Sequence, residues 1–314
     1  MRILGETDRL PQSSTVATIG MFDGVHLGHV TLVDFLKQRA AEQGKQSLII
    51  TFRRHPRQVL HPDVPFSLIM PLEDRLAHLQ ALGPDLLLPL DFTLNLAAHD
   101  SSQFLELLRD RYGVTELVAG YNHHFGHNRG ETFVDYCRHG EQLGVKVVKA
   151  PEYLGQYAPV SSTIIRGLIR AGRVVDAMHC MGRPYSLKGR VIHGFHNGKG
   201  IGFPTANVGD LDPSVLIPHN GAYAVLVHVA GKQLQGMLNI GCRPTLDNGD
   251  KLSIEVNLFD FDDDIYGEPI TLEFISFLRL EFKMCSLDEL QHQLTLDRDN
   301  AKRLLNDYLT TKQS

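Results

Sequence analysis

The chain has 314 residues, 43% of them apolar and 21% charged, with a formal net charge of −5 and an isoelectric point near 6.3. That balance supports packed cores in two domains of ordinary size and excludes a disordered chain. It also argues against nucleic acid as a partner, because phosphate neutralisation needs a clustered positive surface; Arg53, Arg54 and Arg57 cluster, but three arginines in one turn read by default as a solvated face.

Cys137, Cys180, Cys242 and Cys285 are widely separated and form no CxxC pair, so neither a zinc clamp nor a thiol-exchange motif is expected. No apolar leader follows Met1, and no run is long enough for a membrane span. A cytoplasmic protein with reduced thiols and no membrane partner is expected, as a monomer or a weak homo-oligomer.

In chain order, the runs TVATIG, QSLIITF, DLLLPL, ELVAG and KVVKA read as buried strands. Helical patterns near 30–43, 71–82, 101–112 and 132–143 fall between them. This alternation predicts a doubly wound parallel sheet of Rossmann type. Two more helical stretches, SSTIIRGLIRAG and VVDAMHCM, lead to a break at Gly182-Arg183-Pro184. Beyond it, GRVIHGF, GAYAVLVHV, LQGMLNIG, LSIEVNLFDF and PITLEFISFL are closely spaced strands with turn residues between them, the pattern of an antiparallel barrel or sandwich. Ser286 and Glu289 have capping-box spacing ahead of a helical tail. The expected domains are 1–182 and 183–314.

In an open parallel sheet, ligands bind beyond the carboxyl ends of the strands. GMFDGVHLGH stands at such a place. Gly20 permits a tight turn, and the helix that starts near His26 and His29 offers backbone N–H groups to an anion. A bare HxxH reads first as a helix start with exposed histidines; a metalloprotease zinc site would need four-residue spacing and a Glu between. Ser161, Ser162 and Thr163 are capping residues by default, with Arg166 one turn further on as a fixed cation for phosphate oxygens.

In the second domain, GFHNGKGIGFPTANV has glycines that permit close approach to an anion, but its spacing fits neither a Walker A loop nor a dinucleotide fingerprint. Thr205 and Asn207 alternate to one face of an extended chain and present neutral oxygens suited to Mg²⁺. Glu255, inside the apolar run LSIEVNLFDF, reads either as a surface residue of an amphipathic strand or as a general base. The acidic run Asp260, Asp262, Asp263, Asp264 lacks the glycine of a calcium loop and reads as a solvated turn.

GMFDGVHLGH, TFRRHPR, AGYNHHFGHNRG and SSTIIR, followed by GFHNGKGIGFPTANV, GAYAV, NIGCRPT, IEVNLFDFDDDIYGEPI and FLRLEF, resemble in order and spacing the bacterial bifunctional riboflavin kinase/FAD synthetases. The chain departs from the family's common wording at Arg54 (usually Pro), His124 (often Arg), Glu131-Thr132 and Asn257 (often His). The resemblance implies an enzyme that uses ATP and Mg²⁺ twice: riboflavin to FMN in a C-terminal β-barrel domain, and FMN to FAD in the N-terminal domain. It implies that Gly20, Phe22, His26, His29, Ser161, Ser162, Thr163 and Arg166 attend the ATP phosphates of the adenylyltransferase, with Asn122 and Phe125 near the flavin. In the kinase it implies Gly198, Lys199 and Gly200 over phosphates, Thr205 and Asn207 on Mg²⁺, Glu255 as base and Arg279 in a flap near the flavin. Arg279 and Glu281 are both weaker candidates for that flap, and a structural ion pair accounts for them at least as well. Two narrower readings are a riboflavin kinase with an inactive N-terminal domain, and a flavin sensor or carrier. A carrier, however, has no need of Thr205, Asn207 and Glu255 together.

Overall fold

The computed structural model describes residues 1–120, 126, 130–193, 202–244, 250–281 and 286–313, with the side chains of 242–244, 250, 251 and 313 set aside. Asn122, Phe125, Gly198, Lys199 and Gly200 therefore lie outside the described residues. The chain forms two compact units, one of Met1–Ser67 and Pro71–Ser162, the other of Leu68–Met70 and Thr163–Ser314.

The first unit runs β1 (Arg2–Ile3), β2 (Thr15–Ile19), α1 (Leu27–Glu42), β3 (Gln46–Phe52), α2 (Pro56–Leu60), α3 (Leu72–Ala81), β4 (Leu86–Leu90), α4 (Leu94–Ala97), α5 (Ser101–Tyr112), β5 (Val114–Ala119), α6 (Phe133–Leu143) and β6 (Lys146–Lys149). The strands make a parallel sheet in the order β1-β4-β3-β2-β5-β6. From β2 the chain crosses to β3 on one side and later to β5 on the other, so the order reverses between β2 and β5. Such a reversal opens a ligand crevice at the carboxyl ends. All five residues of β2 are buried, as a central parallel strand covered on both faces requires. Ala17, Leu48, Ile50, Leu88 and Leu117 supply much of the core.

Local chemistry sets the helix limits. Asp100 accepts the Gln103 N–H at 2.8 Å while the Gln103 side chain accepts the Asp100 N–H at 3.1 Å, a reciprocal cap that starts α5. Gly113 ends it in left-handed conformation.

The second unit contains α7 (Ser162–Arg170), whose first residue belongs to the other unit, then α8 (Val174–Met181), β7 (Tyr185–Ile192), β8 (Ala206–Gly209), β9 (Gly221–Val229), β10 (Lys232–Pro244), β11 (Asp250–Leu258), β12 (Pro269–Arg279) and α9 (Leu287–Gln313). The strands close into an antiparallel barrel, β10-β11-β8-β7-β12-β9. Ala230 and Gly231, both at positive φ, form the two-residue turn between β9 and β10. Helix α9 lays Ala301 and Leu305 on Phe203, Leu226 and Met237, and Ser286 caps it by accepting the Glu289 N–H.

The second compact unit takes in the chain from Thr163, and Gly182-Arg183-Pro184 follows α8 within it. Helix α8 packs on β7 and β12 and so belongs with the barrel, while Gly182 is its left-handed C-cap, joining it directly to β7. A glycine-proline break marks the end of a helix as readily as the end of a domain. Among the described residues no helix is long and apolar enough to cross a membrane. Cys137 and Cys180 are free thiols whose pKa values burial pushes up.

Two helical glycines make a paired prediction. A Cβ on Gly140 in α6 would lie 2.3 Å from the Val145 carbonyl oxygen, whereas one on Gly167 in α7 would meet nothing within 4 Å. Gly140→Ala gains helix propensity of about 1 kcal/mol but meets backbone that cannot yield without an overpacking cost of about 1–3 kcal/mol. Gly140→Ala should lower the urea midpoint and Gly167→Ala should raise it; the reverse order would contradict the packing of α6 on β6.

Candidate active sites

The first site forms where β2 enters α1. The Gly20 N–H donates to the Ile50 carbonyl at 3.1 Å, and the Phe22 ring folds back over the space a Gly20 Cβ would take, at 3.2 Å. The backbone then turns through left-handed conformations at Phe22 (φ 53°), Gly24 (83°) and Val25 (35°). For two non-glycine residues this is costly and has to be held by neighbours. Thr51 donates to the Met21 carbonyl at 3.2 Å and Ser162 to the Asp23 carbonyl at 2.7 Å.

That turn delivers His26 as the N-cap of α1. Its Nδ1 accepts the His29 N–H at 3.3 Å, and in the neutral ring this puts the proton on Nε2. The two imidazoles stack with centroids 3.6 Å apart and 16° between planes, and the buried Phe22 ring lies 5.0 Å from that of His29. HxxH thus becomes a single paired element rather than two solvent-facing residues. Phe22, expected at the ATP, is buried and supports His29 with its ring. Gly28 was missed by sequence reasoning: a Cβ there would lie 3.2 Å from the His26 ring, a tight approach that glycine relieves where that ring lies over the helix start. Ser162 holds the turn by its hydroxyl, while Ser161 is half-buried beside it. Thr163, exposed, and Arg166, buried, belong to the second unit.

The second site lies in the barrel wall, where β11 and β8 pair with Glu255 opposite Asn207. Thr205 donates to Glu255 Oε2 at 3.2 Å and Ser253, two residues back on the same face of β11, to Oε1 at 3.0 Å. Two residues forward, the buried Asn257 amide donates to the Pro204 carbonyl at 2.6 Å and pins the chain just before Thr205. Ser253 and Asn257 follow from the two-residue period of a strand once Glu255 is chosen, and that period is the signal by which they could have been found. Thr205 also faces a cavity of about 310 Å³ lined by Val191, Pro204, Val256, Phe261 and Tyr266.

Arg279, expected near the flavin, forms a two-pronged ion pair with buried Asp297 of α9, its Nε 2.9 Å and its Nη2 2.8 Å from Oδ2. Gln293 donates to the same carboxylate at 2.8 Å. Its neighbour Glu281 instead accepts from Asn239 at 3.2 Å. The acidic run behaves as a surface turn: Asp260 pairs with Lys302 and Asp263 with Lys232, at 2.9 and 2.7 Å.

Among the described residues no three His, Cys, Asp or Glu side chains are grouped to hold a metal ion. The Thr205 hydroxyl on Glu255, and Asn207 opposite Glu255 in the register, carry the hard oxygen donors that suit Mg²⁺. The Thr205 hydroxyl gives its proton to Glu255, leaving its lone pairs directed elsewhere.

Comparison with known proteins agrees with this two-site organisation. The FAD synthetase family model matches residues 8–164 and the riboflavin kinase model residues 181–305. A bifunctional riboflavin kinase/FMN adenylyltransferase of Bacillus subtilis is 38% identical over 93% of each chain. The enzyme of the same description from Haemophilus influenzae is 34% identical over 98% of this chain and 99% of its own. A crystal structure described as a macrolide-efflux protein from Streptococcus pneumoniae superposes with a TM-score of 0.84 at 30% identity, over 94% of this chain and 96% of that one.

Arg279→Ala would leave Asp297 as a buried, uncompensated charge. It should cost about 3 kcal/mol, read as a lower unfolding midpoint with early loss of α9 helicity. A change below about 0.5 kcal/mol would assign the pair to the surface class.

Proposed function

The chain belongs to the family of bifunctional riboflavin kinase/FMN adenylyltransferases, and from that membership we propose that it makes FMN from riboflavin and then FAD from FMN, consuming ATP at each step. The kinase reaction is assigned to the barrel and the adenylyl transfer to the parallel-sheet unit. The free thiols and the family's chemistry suit a cytoplasmic setting. A monomer or a weak homo-oligomer is proposed.

The kinase assignment rests on the Thr205 and Ser253 hydroxyls that bracket Glu255, with Asn207 opposite it in the strand register. A ribityl hydroxyl is a poor nucleophile and must lose its proton as its oxygen attacks the γ-phosphorus. Glu255 accepts that proton, and the two hydroxyls on its oxygens hold the carboxylate in a single orientation. Thr205 and Asn207 would hold Mg²⁺, which when bound neutralises charge on the phosphates and leaving group. Asn257 keeps Thr205 in reach by fixing Pro204. Gly198, Lys199 and Gly200 are assigned to the phosphates on the family resemblance. Arg279, paired with Asp297, is assigned to the flavin side as a weaker candidate.

The adenylyl transfer needs no base, because FMN phosphate is already an anion that can attack the α-phosphorus and expel pyrophosphate. What it requires is alignment and stabilisation of developing charge. His26 and His29 donate to the phosphates, the start of α1 adds backbone N–H groups, and Arg166 is assigned to the triphosphate. Asn122 and Phe125 are assigned to the flavin on the same resemblance. The kinase-only reading would leave the stacked histidine pair without work. The carrier reading would do the same for the hydroxyl-bracketed carboxylate.

Incubation with riboflavin and Mg-ATP followed by flavin separation tests the whole assignment: FAD is expected, FMN alone would support the kinase-only reading, and unchanged riboflavin would support a carrier. Glu255→Gln should abolish FMN formation while supplied FMN is still converted to FAD, and a folded variant that loses both activities would contradict separate sites. His29→Ala should show the opposite pattern, with FAD formation falling about 100-fold; an unchanged rate would remove His29 from the reaction.

A further inference from the structure

Among the described residues, Arg75 is the bulkiest side chain with no solvent exposure. It lies on the inward face of α3, one turn before buried Leu79, where a helix facing a core normally carries an apolar residue. Neither the family motifs quoted above nor the reaction chemistry calls for it. Its Nη2 donates to the Phe52 carbonyl at 2.5 Å, at the carboxyl end of β3, and its Nη1 approaches Met21 Sδ at 3.7 Å, just beyond β2. Burial pulls its pKa down to about 10, opposed by the negative charge of Asp23, so it is a cation at neutral pH.

A buried cation is an expensive way to fill space. Its position shows what it supports. Met21 and Asp23 flank Phe22, the first left-handed residue of the turn that presents His26 and His29, and Asp23 is itself only 1% exposed. Arg75 thus links the end of β3 to Met21, just beyond the neighbouring strand β2, at the foot of that turn. Thr51 and Ser162 hold the backbone of the same turn; Arg75 acts on its side chains and on its neighbour β3.

We propose that Arg75 is a positioning residue for adenylyl transfer, holding the Met21–Val25 turn through Met21 and Phe52 so that the stacked histidines meet the phosphates, without touching substrate itself. This rests on the adenylyltransferase reading. The planar fork reaches a carbonyl and a neighbouring side chain at once, which a lysine ammonium cannot do from one point.

The test uses the full chain with Arg75→Met and Arg75→Lys, and measures FAD formation from FMN and FMN formation from riboflavin in the same preparations. Arg75→Met is expected to lower kcat for FAD formation about 100-fold, as a misplacement of roughly 1 Å would do. KM for FMN should stay within about threefold and FMN formation should keep its rate. Arg75→Lys should recover only part of the loss. Full FAD activity in folded Arg75→Met overturns the proposal, as does a parallel loss of both activities, which would mark a general role in the fold. If Arg75→Met does not fold, Arg75→Lys decides: kcat within about twofold of the unaltered chain overturns the positioning role. Failure of the unaltered chain to form FAD would instead sink the functional reading on which the proposal stands.

Discussion

A helix begins with N–H groups that have no partner within the helix, and the turn ahead of α1 presents them at the reversal point of the sheet. Everything in the first site follows from holding that turn. Left-handed backbone at Phe22 and Val25 is unfavourable on its own. It persists because carbonyls at Met21 and Asp23 accept from Thr51 and Ser162, and because the Phe22 ring is buried over Gly20. The same turn brings His26 to the cap position, from which its ring reaches both the His29 N–H and the His29 ring. Alignment of phosphates is what an adenylyl transfer most needs from a protein, and rigid support of this kind supplies it.

The barrel solves a different problem. Here a carboxylate has to sit in an apolar wall with both oxygens satisfied. Hydroxyls from Thr205 and Ser253 satisfy its two oxygens without neutralising it, and Asn257 ties down the segment that carries Thr205. Neutral donors orient the group without adding a countercharge.

Much of this was legible in the residues. The alternation of buried runs and amphipathic helices marked the parallel sheet, and β2 to β6 fall on the five runs read as strands. The two-residue edge strand β1, the short helices α2 and α4 and the four-residue barrel strand β8 escaped, because segments of that length carry no measurable periodicity. The change to closely spaced strands after Tyr185 marked the barrel. The domain limit was less legible, since α8 is amphipathic in either unit and its allegiance depends on which surface receives its apolar face.

What the sequence determined by itself was the identity of the chemistry: histidines three apart after a strand, a Thr-x-Asn segment, and a glutamate inside a strand, since hydroxyl, amide, imidazole and carboxylate carry their reactivity wherever they are placed. Tertiary structure alone decided which groups share a site. The stacking of His26 on His29, the hydroxyls on Glu255, the pairing of Arg279 with Asp297, and the burial of Arg75 against Phe52 all depend on distances between side chains on separate elements or on the course of a turn. Those distances are set by closing a sheet or a barrel, and no window along the chain contains them.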